Sequence, residues 1–388
     1  MSNARWIDEL KVKASYGWVG NDGIGDYLYT RRYSVSSSSG NAAINPSSVE
    51  ANKEITWETG GSFLAGIDFS IFKGRLTGNV EYFHRLTSNM IHTFYFPTSY
   101  GFTSQYRNIG DMVNTGVEFT LNGEVIRTKD ISWALNLNFS YDHNFVKYLP
   151  EENKTKEMEG HAGFTDGSHF VGEGLPLYTY YLHRYAGVDP ETGLAQYWKN
   201  IEDENGNIIG EEKVYDASIA DYYLCGSARP EMFGGFGTSF RWKNLDLSAQ
   251  FSYQIGGLYY DSDYAAAMSY SRGQAFHEDL LDAWTPTNKS SDIPRMQYND
   301  GYTTSSSDRF LIDGSYLSLQ NLQVGYTLPQ KWTRAMRLES VRIYATGDNI
   351  WTWSKRRGMD PRQSITGGID QSFAPSLRTI SGGITVTF

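Results

Sequence analysis

The chain has 388 residues, of which 15% are aromatic, and it carries a net charge of −10. The negative charge argues against a nucleic-acid partner, because phosphate binding requires clustered cations. The single cysteine, Cys225, excludes an internal disulfide framework and a zinc site built from cysteines. A mean hydropathy of −0.48, and no run near the ~18 apolar residues of a spanning helix, exclude a helical membrane protein.

The first four residues, Met1-Ser2-Asn3-Ala4, resemble the remnant of an expression tag. We therefore expect the natural sequence to start at Arg5, inside a longer protein. No secretory signal is visible at this end, and for a piece of a longer protein that says nothing about destination.

Apolar and polar residues alternate with a period of two along much of the chain, which predicts β-strands. The alternating segments are, in chain order, Leu10–Trp18, Phe63–Ile71, Leu76–Tyr82, Val117–Val125, Ile131–Tyr141, Leu245–Tyr253, Val341–Ala345 and Ile380–Phe388. Between Leu319 and Leu322 the apolar positions change from odd to even numbers. This change of phase predicts a β-bulge near Gln320–Asn321.

Short and long connections alternate between these segments. Short ones are predicted at Phe72–Gly74, Arg127–Asp130, Gly172–Leu177, Trp242–Asn244 and Pro329–Leu338, and long ones near 20–54, 90–112, 148–163, 188–230, 259–307 and 354–374. A membrane barrel has this pattern, with tight periplasmic turns and long outer loops. The count is about twelve strands, the weakest near His169 and Tyr180. An even count places both ends of the chain on the short-turn side.

A soluble β-sandwich also shows alternation, but two features favour a strand that faces lipid. Aromatic residues cluster near strand ends, as expected for interfacial girdles; examples are Trp18, Trp133, Tyr141, Trp242, Tyr253 and Trp351. The predicted strands are also longer than the ~5–6 residues usual in globular proteins. The sequence therefore predicts an all-β, antiparallel, up-and-down transmembrane β-barrel with long extracellular loops and one short loop helix, at Phe276–Trp284.

Several ordered motifs resemble one family. They are Ile55-Thr56-Trp57-Glu58, Gly74-Arg75-Leu76-Thr77-Gly78, Asn108-Ile109-Gly110-Asp111, Asn114-Thr115-Gly116-Val117-Glu118, Tyr185-Ala186-Gly187-Val188-Asp189-Pro190-Glu191-Thr192-Gly193, Gly314-Ser315-Tyr316-Leu317, Gly347-Asp348-Asn349-Ile350-Trp351 and Gly358-Met359-Asp360-Pro361. Taken in this order, they resemble the carboxy-terminal half of the SusC/RagA family of TonB-linked outer-membrane transporters of Bacteroidetes.

The resemblance implies that residues 5–388 supply about 12 strands of a barrel of about 22 strands in the cell outer membrane. It implies import of a glycan, an oligosaccharide or a peptide, with a SusD-like surface lipoprotein as partner. TonB would act through an amino-terminal plug that this chain does not contain. The carboxy-terminal residues Ile384, Val386 and Phe388 would be the signal that barrel-assembly machinery reads.

No catalytic set emerges from the motifs, so we expect no enzyme activity, no cofactor and no metal ion. His277-Glu278 begins like a zinc-protease helix, but Leu281 stands where the second histidine is needed. The segment 203–207 slightly resembles a calcium loop, but Ile208 replaces the required glycine. Asn205-Gly206 is more typical of a hairpin turn.

Aromatic residues in the predicted loops are the best candidates for substrate contact, because flat rings stack on sugars. We select Tyr197, Trp198, Tyr259 and Tyr260, while Tyr95, Phe96, Tyr100, Phe102 and Tyr264 share the same character. The alternative is that these rings pack loops together or contact the lipoprotein. Two other functions remain open: a self-contained channel or adhesin, and a soluble carbohydrate-binding β-protein.

Overall fold

The computed structural model describes residues 6–38, 41–270, 273, 275–298, 300–356, 360–363 and 376–388. The expected tag remnant at 1–4 lies outside these residues. The strands are, in chain order, β1 Ile7–Asn21, β2 Tyr33–Ser38, β3 Asn41–Pro46, β4 Val49–Glu50, β5 Glu58–Ile71, β6 Leu76–Tyr95, β7 Ser104–Arg127, β8 Ile131–Tyr148, β9 Lys156–Met158, β10 His161–Asp166, β11 His169–Gly172, β12 Thr179–His183, β13 Tyr185–Val188, β14 Ala195–Glu202, β15 Ile208–Val214, β16 Tyr222–Ser227, β17 Met232–Trp242, β18 Leu245–Ile255, β19 Leu258–Tyr260, β20 Leu311–Asp313, β21 Tyr316–Thr327, β22 Ser340–Ser354 and β23 Thr379–Thr387.

Helices are few and short in the described part of the chain. The two α-helices are α1 Ser262–Ala267 and α2 Gln330–Ala335, and single 3-10 turns lie at Thr98–Tyr100, Glu151–Asn153, Ala217–Ile219, Glu278–Asp282, Asp308–Phe310 and Pro361–Gln363. None of these helices is long and apolar enough to cross a membrane.

Ten long antiparallel strands form one sheet, which we call the wall. Its order is β1-β5-β6-β7-β8-β17-β18-β21-β22-β23, and the two-residue β4 pairs with β7 in parallel. Each strand lies beside its predecessor within this set, which is the up-and-down arrangement that the sequence predicts. Ile7 pairs with Ile71 next to one short turn, and Thr387 pairs with Ser340 next to another. Both ends of the wall therefore lie on the short-turn side, as predicted.

The predicted bulge is confirmed at Gln320. On both neighbouring strands the pairing passes from Leu319 to Asn321, so that Gln320 has no partner in either register. One extra residue reverses the side to which every later side chain points. The bulge therefore keeps Leu322 and Val324 on the same face as Leu317 and Leu319.

Among the described residues, no buried hydrophobic cluster lies wholly within the wall. Its apolar side chains remain exposed along the sheet, for example Val12, Ile67, Val80, Leu135 and Ile343. Exposing an apolar row of this length to water would be unfavourable by about 25 cal/mol per Å². This face of the wall is therefore suited to contact with lipid, as in a membrane barrel.

The buried cores lie mainly in the two longest connections, residues 149–231 and 256–315, which we call the cap. The cap contains the five-stranded sheet β16-β12-β11-β10-β9, the three-stranded sheet β13-β14-β15 and the pair β19-β20. One core joins Tyr180 and Leu182 of the first segment to Met268 and Phe310 of the second. The two connections therefore pack as one body over the ends of the wall strands.

Three details of the sequence interpretation are wrong. The weak strands near His169 and Tyr180 belong to the cap sheet, so the wall has ten strands rather than about twelve, and Gly172–Leu177 is a cap connection. The predicted loop 90–112 is mostly strand, because β6 and β7 continue to pair up to Tyr95 and Ser104. The predicted helix is a 3-10 turn at Glu278–Asp282, and α1 in the same connection was missed.

Candidate functional site

Ion pairs link strands across the polar face of the wall. Lys13 on β1 lies 2.8 Å from the carboxylate of Asp68 on β5 and also contacts Glu81 on β6. At the other side of the wall, Arg342 on β22 donates two hydrogen bonds to Asp246 on β18, at 2.6 and 3.2 Å. A face lined by charged side chains, on a sheet whose other face is apolar and uncovered, is typical of the lumenal face of a membrane barrel.

Between these ion pairs the polar face is lined by amides. Asn136 on β8 approaches Gln250 on β18 at 3.4 Å across Gly237, where a side chain would collide with both amides. Farther along, Asn321 on β21 donates to Asp348 on β22 at 2.7 Å. This part of the polar face can therefore exchange hydrogen bonds with whatever lies beside it.

Three of the four predicted substrate contacts are buried inside the cap. Tyr197 on β14 is fully buried, its ring lies 5.8 Å from that of Tyr185, and its hydroxyl donates a hydrogen bond to the carbonyl of Tyr302. Burial raises the pKa of this hydroxyl. Tyr259 and Tyr260 are less than a tenth exposed. With no open ring face, these three residues pack loops together and offer no stacking surface to a ligand.

Trp198 points away from that core. It is half-buried, with the guanidinium of Arg184 at 5.3 Å and the ammonium of Lys213 at 5.2 Å from its ring. Two cations over one ring stabilise the position of the side chain. Trp198 remains a predicted substrate contact.

The β6–β7 hairpin carries a separate aromatic group at its tip. Phe96 and Phe102 lie 5.1 Å apart in an edge contact, and Arg107 lies 5.1 Å from the Phe96 ring. Tyr95 and Tyr100 at the same tip are well exposed. These two tyrosines have the accessibility that the buried cap residues lack.

The calcium-like segment is a hairpin turn. Asp203 accepts hydrogen bonds from the backbone N–H groups of Asn205 and Asn207, and hydrogen bonds from the Asn207 side chain and backbone lower the pKa of its carboxyl. This is the local side-chain-to-backbone pattern that closes turns. Within the described residues, no group of three or more His, Cys, Asp or Glu side chains is placed to hold a metal ion.

A cleft opens where the cap meets the ends of β8, β17, β18 and β21, and we call it the rim cleft. It has a volume of about 780 Å³, and its walls include Asp142, Arg229, Glu231, Asp313 and Ser315. Gly256 and Gly257 also line it, and a side chain on Gly257 would lie only 2.7 Å from the carbonyl oxygen of Ala228. The close approach of two chain segments here therefore depends on glycine.

The polar groups of the rim cleft are held by specific partners. Arg229 forms an ion pair with Asp142 of β8. Asp313 accepts hydrogen bonds from the backbone N–H and the hydroxyl of Ser315, at 2.8 and 2.5 Å. The Ser315 hydroxyl in turn accepts from the Gly256 N–H at 2.9 Å. These bonds fix the orientation of the charges before any ligand arrives.

Two arginines attach the connection that follows β22. Arg356 pairs with Asp261 of the cap and lies 3.6 Å from the ring of Tyr264. Arg362 donates to Ser318 of the wall at 3.1 Å and to Asp360 at 2.6 Å. Burial opposes ionisation of Asp360, but its hydrogen bonds with Arg362 and Ser376 lower its pKa to about 2. Residues 357–359 and 364–375, within the last predicted loop, lie outside the described residues.

The predicted assembly signal lies on an edge strand. Ile384, Val386 and Phe388 are exposed, and β23 pairs only with β22 among the described strands. Their accessibility suits recognition by another protein, and the role remains a prediction.

Sequence reasoning missed the residues of the rim cleft. Arg229 and Asp142 are 87 positions apart, and neither belongs to a recognisable motif. The only available signal was Asp142, which lies on the alternating polar face of β8. A contact between such distant residues follows from the packing of the cap and not from local pattern.

Residues 3–350 match the family model described as TonB dependent receptor-like, beta-barrel. TonB-dependent receptor P3 of Formosa agariphila is 28% identical over all of this chain, which covers 40% of that protein. TonB-dependent receptor SusC of Bacteroides thetaiotaomicron is 26% identical over 98% of this chain, which covers 38% of that receptor.

The solved structure of the RagAB peptide transporter resembles the fold over 99% of this chain and 41% of its own, with a TM-score of 0.84 and 28% identity. This chain therefore spans about two fifths of the length of the proteins it resembles. The family match covers most of the chain and agrees with a wall that is apolar on one face and polar on the other. The chain belongs to the family of TonB-dependent-receptor-like β-barrels, which are proteins of the outer membrane.

Proposed function

We propose that this chain provides part of the barrel wall and of the extracellular cap of a TonB-dependent importer for a large nutrient. One observation carries the proposal: a wall with the sequence of this receptor family turns its apolar face outward and its ion pairs and amides inward. Such a wall encloses a wet lumen within lipid. A soluble carbohydrate-binding protein would need to cover the apolar face, and no described segment does so.

The nutrient is proposed to be a glycan, an oligosaccharide or a peptide. Similarity to SusC and to a peptide transporter supports a large, polar solute rather than a small ion. The two exposed tyrosines of the β6–β7 tip, and Trp198 in the cap, are the proposed ring contacts. The family is one of receptors, so transport rather than chemical conversion is the expected activity.

The proposed partners follow from the same similarity. A SusD-like surface lipoprotein would cover the cap, and TonB would supply energy through a plug domain outside this chain. Ile384, Val386 and Phe388 are proposed as the contact for barrel-assembly machinery.

The test is deletion of the gene and growth on single nutrients. We expect the deletion to abolish growth on one polysaccharide or one protein digest. The intact gene should restore this growth in a strain that has TonB and should not restore it in a TonB-deficient strain. Growth that is equal with and without the gene on every glycan and peptide source would contradict the proposal. Discrete conductance by the purified chain in bilayers, without TonB, would instead indicate a self-contained channel.

A further inference from the structure

The charge of the molecule is divided unevenly between the cap and the rest of the chain. Residues 149–231 and 256–315 contain 10 Lys and Arg against 25 Asp and Glu, a net charge of −15. All remaining residues contain 24 basic and 19 acidic side chains, a net charge of +5, which completes the total of −10. The negative charge of the protein therefore belongs to the cap.

The cap holds this charge in a fixed place. Its two segments share the buried core around Tyr180, Leu182, Met268 and Phe310, and a second core joins Phe164 and other cap residues to the upper part of the wall. A charged body packed on one end of a barrel produces a directed field, which concentrates cations near the entrance and repels anions.

The rim cleft lies at the foot of this acidic body and has the same sign. Three carboxylates line it, those of Asp142, Glu231 and Asp313, against the single guanidinium of Arg229. Arg229 is paired with Asp142, so these two charges offset each other. Asp313 accepts only from the neutral donors of Ser315.

Glu231 is a carboxylate of the cleft that is open to a ligand. Its side chain is exposed and forms no ion pair with any described residue. Its backbone is fixed by a hydrogen bond from its N–H to the carbonyl of Ile255 at 3.1 Å. A side chain on Gly256 would lie 3.1 Å from Cγ of Glu231, so the glycine leaves the carboxylate room at the cleft wall.

We propose that the rim cleft binds protonated amines or guanidinium groups of the imported nutrient, and that this receptor prefers cationic over neutral and anionic substrates. The inference rests on the proposed import function and names the class of its substrate. The cleft supplies the space for a ligand, and its carboxylates have the same sign as the cap, to which Glu231 and Asp313 belong. Glu231 and Asp313 would accept the N–H groups of the ligand, while Arg229 and Asp142 also line the cleft.

Two kinds of nutrient carry this chemistry. Peptides rich in lysine or arginine carry it on side chains, and glycans of free amino sugars carry it on the ring. Acetylation removes the positive charge in both and leaves the backbone unchanged. Each class thus provides its own neutral control.

The experiment uses the full-length receptor, with its lipoprotein, expressed in cells and purified in detergent. The probes are a lysine-containing oligopeptide and its acetyl-lysine form, and a glucosamine oligomer and its N-acetylated form. We expect the free-amine form of at least one pair to bind and to enter cells better than its acetylated form. The preference should shrink as salt rises, because the Debye length falls from ~10 Å at 0.1 M to ~3 Å at 1 M.

Two matched variants locate the effect. Glu231→Gln removes a negative charge from the rim cleft, and Glu339→Gln removes one from an exposed site at the short-turn end of the wall. We expect Glu231→Gln to weaken binding of the free-amine probe about three- to fivefold, as for a partly exposed ion pair. Glu339→Gln should leave it unchanged.

Equal binding of free-amine and acetylated probes in both pairs would overturn the inference, while uptake of the neutral probes would leave the import function standing. An equal effect of the two variants would also overturn it, because the charge preference would then not arise in the cleft. Cells that take up no probe, and whose growth does not depend on the gene, would contradict the import function itself.

Discussion

Gly193 is a residue of the cap at which a single added methyl group should be strongly destabilising. It lies in the turn between β13 and β14 with φ +73°, and an added Cβ would lie 2.3 Å from Cε3 of Trp284. Its carbonyl accepts a hydrogen bond from the Arg295 N–H at 2.8 Å, and Trp284 donates to the carbonyl of Pro190 at 3.0 Å. The turn therefore links the two segments of the cap.

The magnitude follows from two separate costs. A side chain in the left-handed region costs roughly 1–2 kcal/mol, and overpacking against a fixed ring costs about 1–3 kcal/mol. Gly193→Ala is thus expected to destabilise the contact by about 2–5 kcal/mol. Gly206 is the matched control, since its φ is +81° but no atom lies within 4 Å of an added Cβ. Gly206→Ala should carry the backbone cost alone.

Amide hydrogen exchange of the full-length receptor in detergent measures this difference. The Arg295 amide reports the link directly, and its local opening constant should rise at least about 30-fold in Gly193→Ala. In Gly206→Ala the same amide should exchange at the wild-type rate, because that turn makes no contact with Arg295. Equal exchange at Arg295 in both variants would show that the ring does not confine Gly193, and the reasoning would be refuted.

Three further predictions concern buried charge and reactivity. Arg356→Met should destabilise the cap by about 3–5 kcal/mol, because it leaves the buried carboxylate of Asp261 without its cation. Hydrogen exchange of the α1 amides measures this effect, and an effect no larger than that of Arg31→Met, at the exposed pair with Glu50, would contradict the prediction. Burial raises the pKa of the Cys225 thiol to about 12, so the native protein should resist iodoacetamide at about pH 8 and react only after unfolding; rapid labelling of native protein would disprove this. The pKa of Asp360 is lowered to about 2, so the contribution of this carboxylate to stability is complete above the ordinary aspartate pKa of ~4 and is lost as the pH falls through about 2. The rate of proteolysis of the β22–β23 connection should therefore be constant from about pH 8 to pH 4, and Asp360→Asn should increase that rate throughout this range.

The wall could be predicted from the sequence because its structure depends on local alternation. In a strand, successive side chains point to opposite faces, so the pattern Ile131, Trp133, Leu135 and Leu137 specifies both the strand and its apolar face. The bulge at Gln320 was predictable for the same reason, since one extra residue shifts the phase of everything that follows. The family motifs then supplied the architecture that periodicity alone leaves open.

The cap could not be predicted in this way. Strands β11 and β12 have a pattern like that of weak wall strands, yet Phe170, Tyr180 and Leu182 are buried on cap cores. Short apolar runs do not reveal whether lipid or protein covers them, because a lipid-facing surface and a protein core both favour apolar residues. The same ambiguity made Tyr197, Tyr259 and Tyr260 look like surface rings.

The sequence by itself determined that this protein is built of alternating strands joined by short and long connections. Alternation is a property of neighbouring residues, so it can be read without a structure. Only the tertiary structure decided that those connections pack into one body and that Asp142, Arg229, Glu231 and Asp313 line one cleft. These residues come from separate connections and strands, and their meeting depends on the sum of many packing contacts rather than on any local preference.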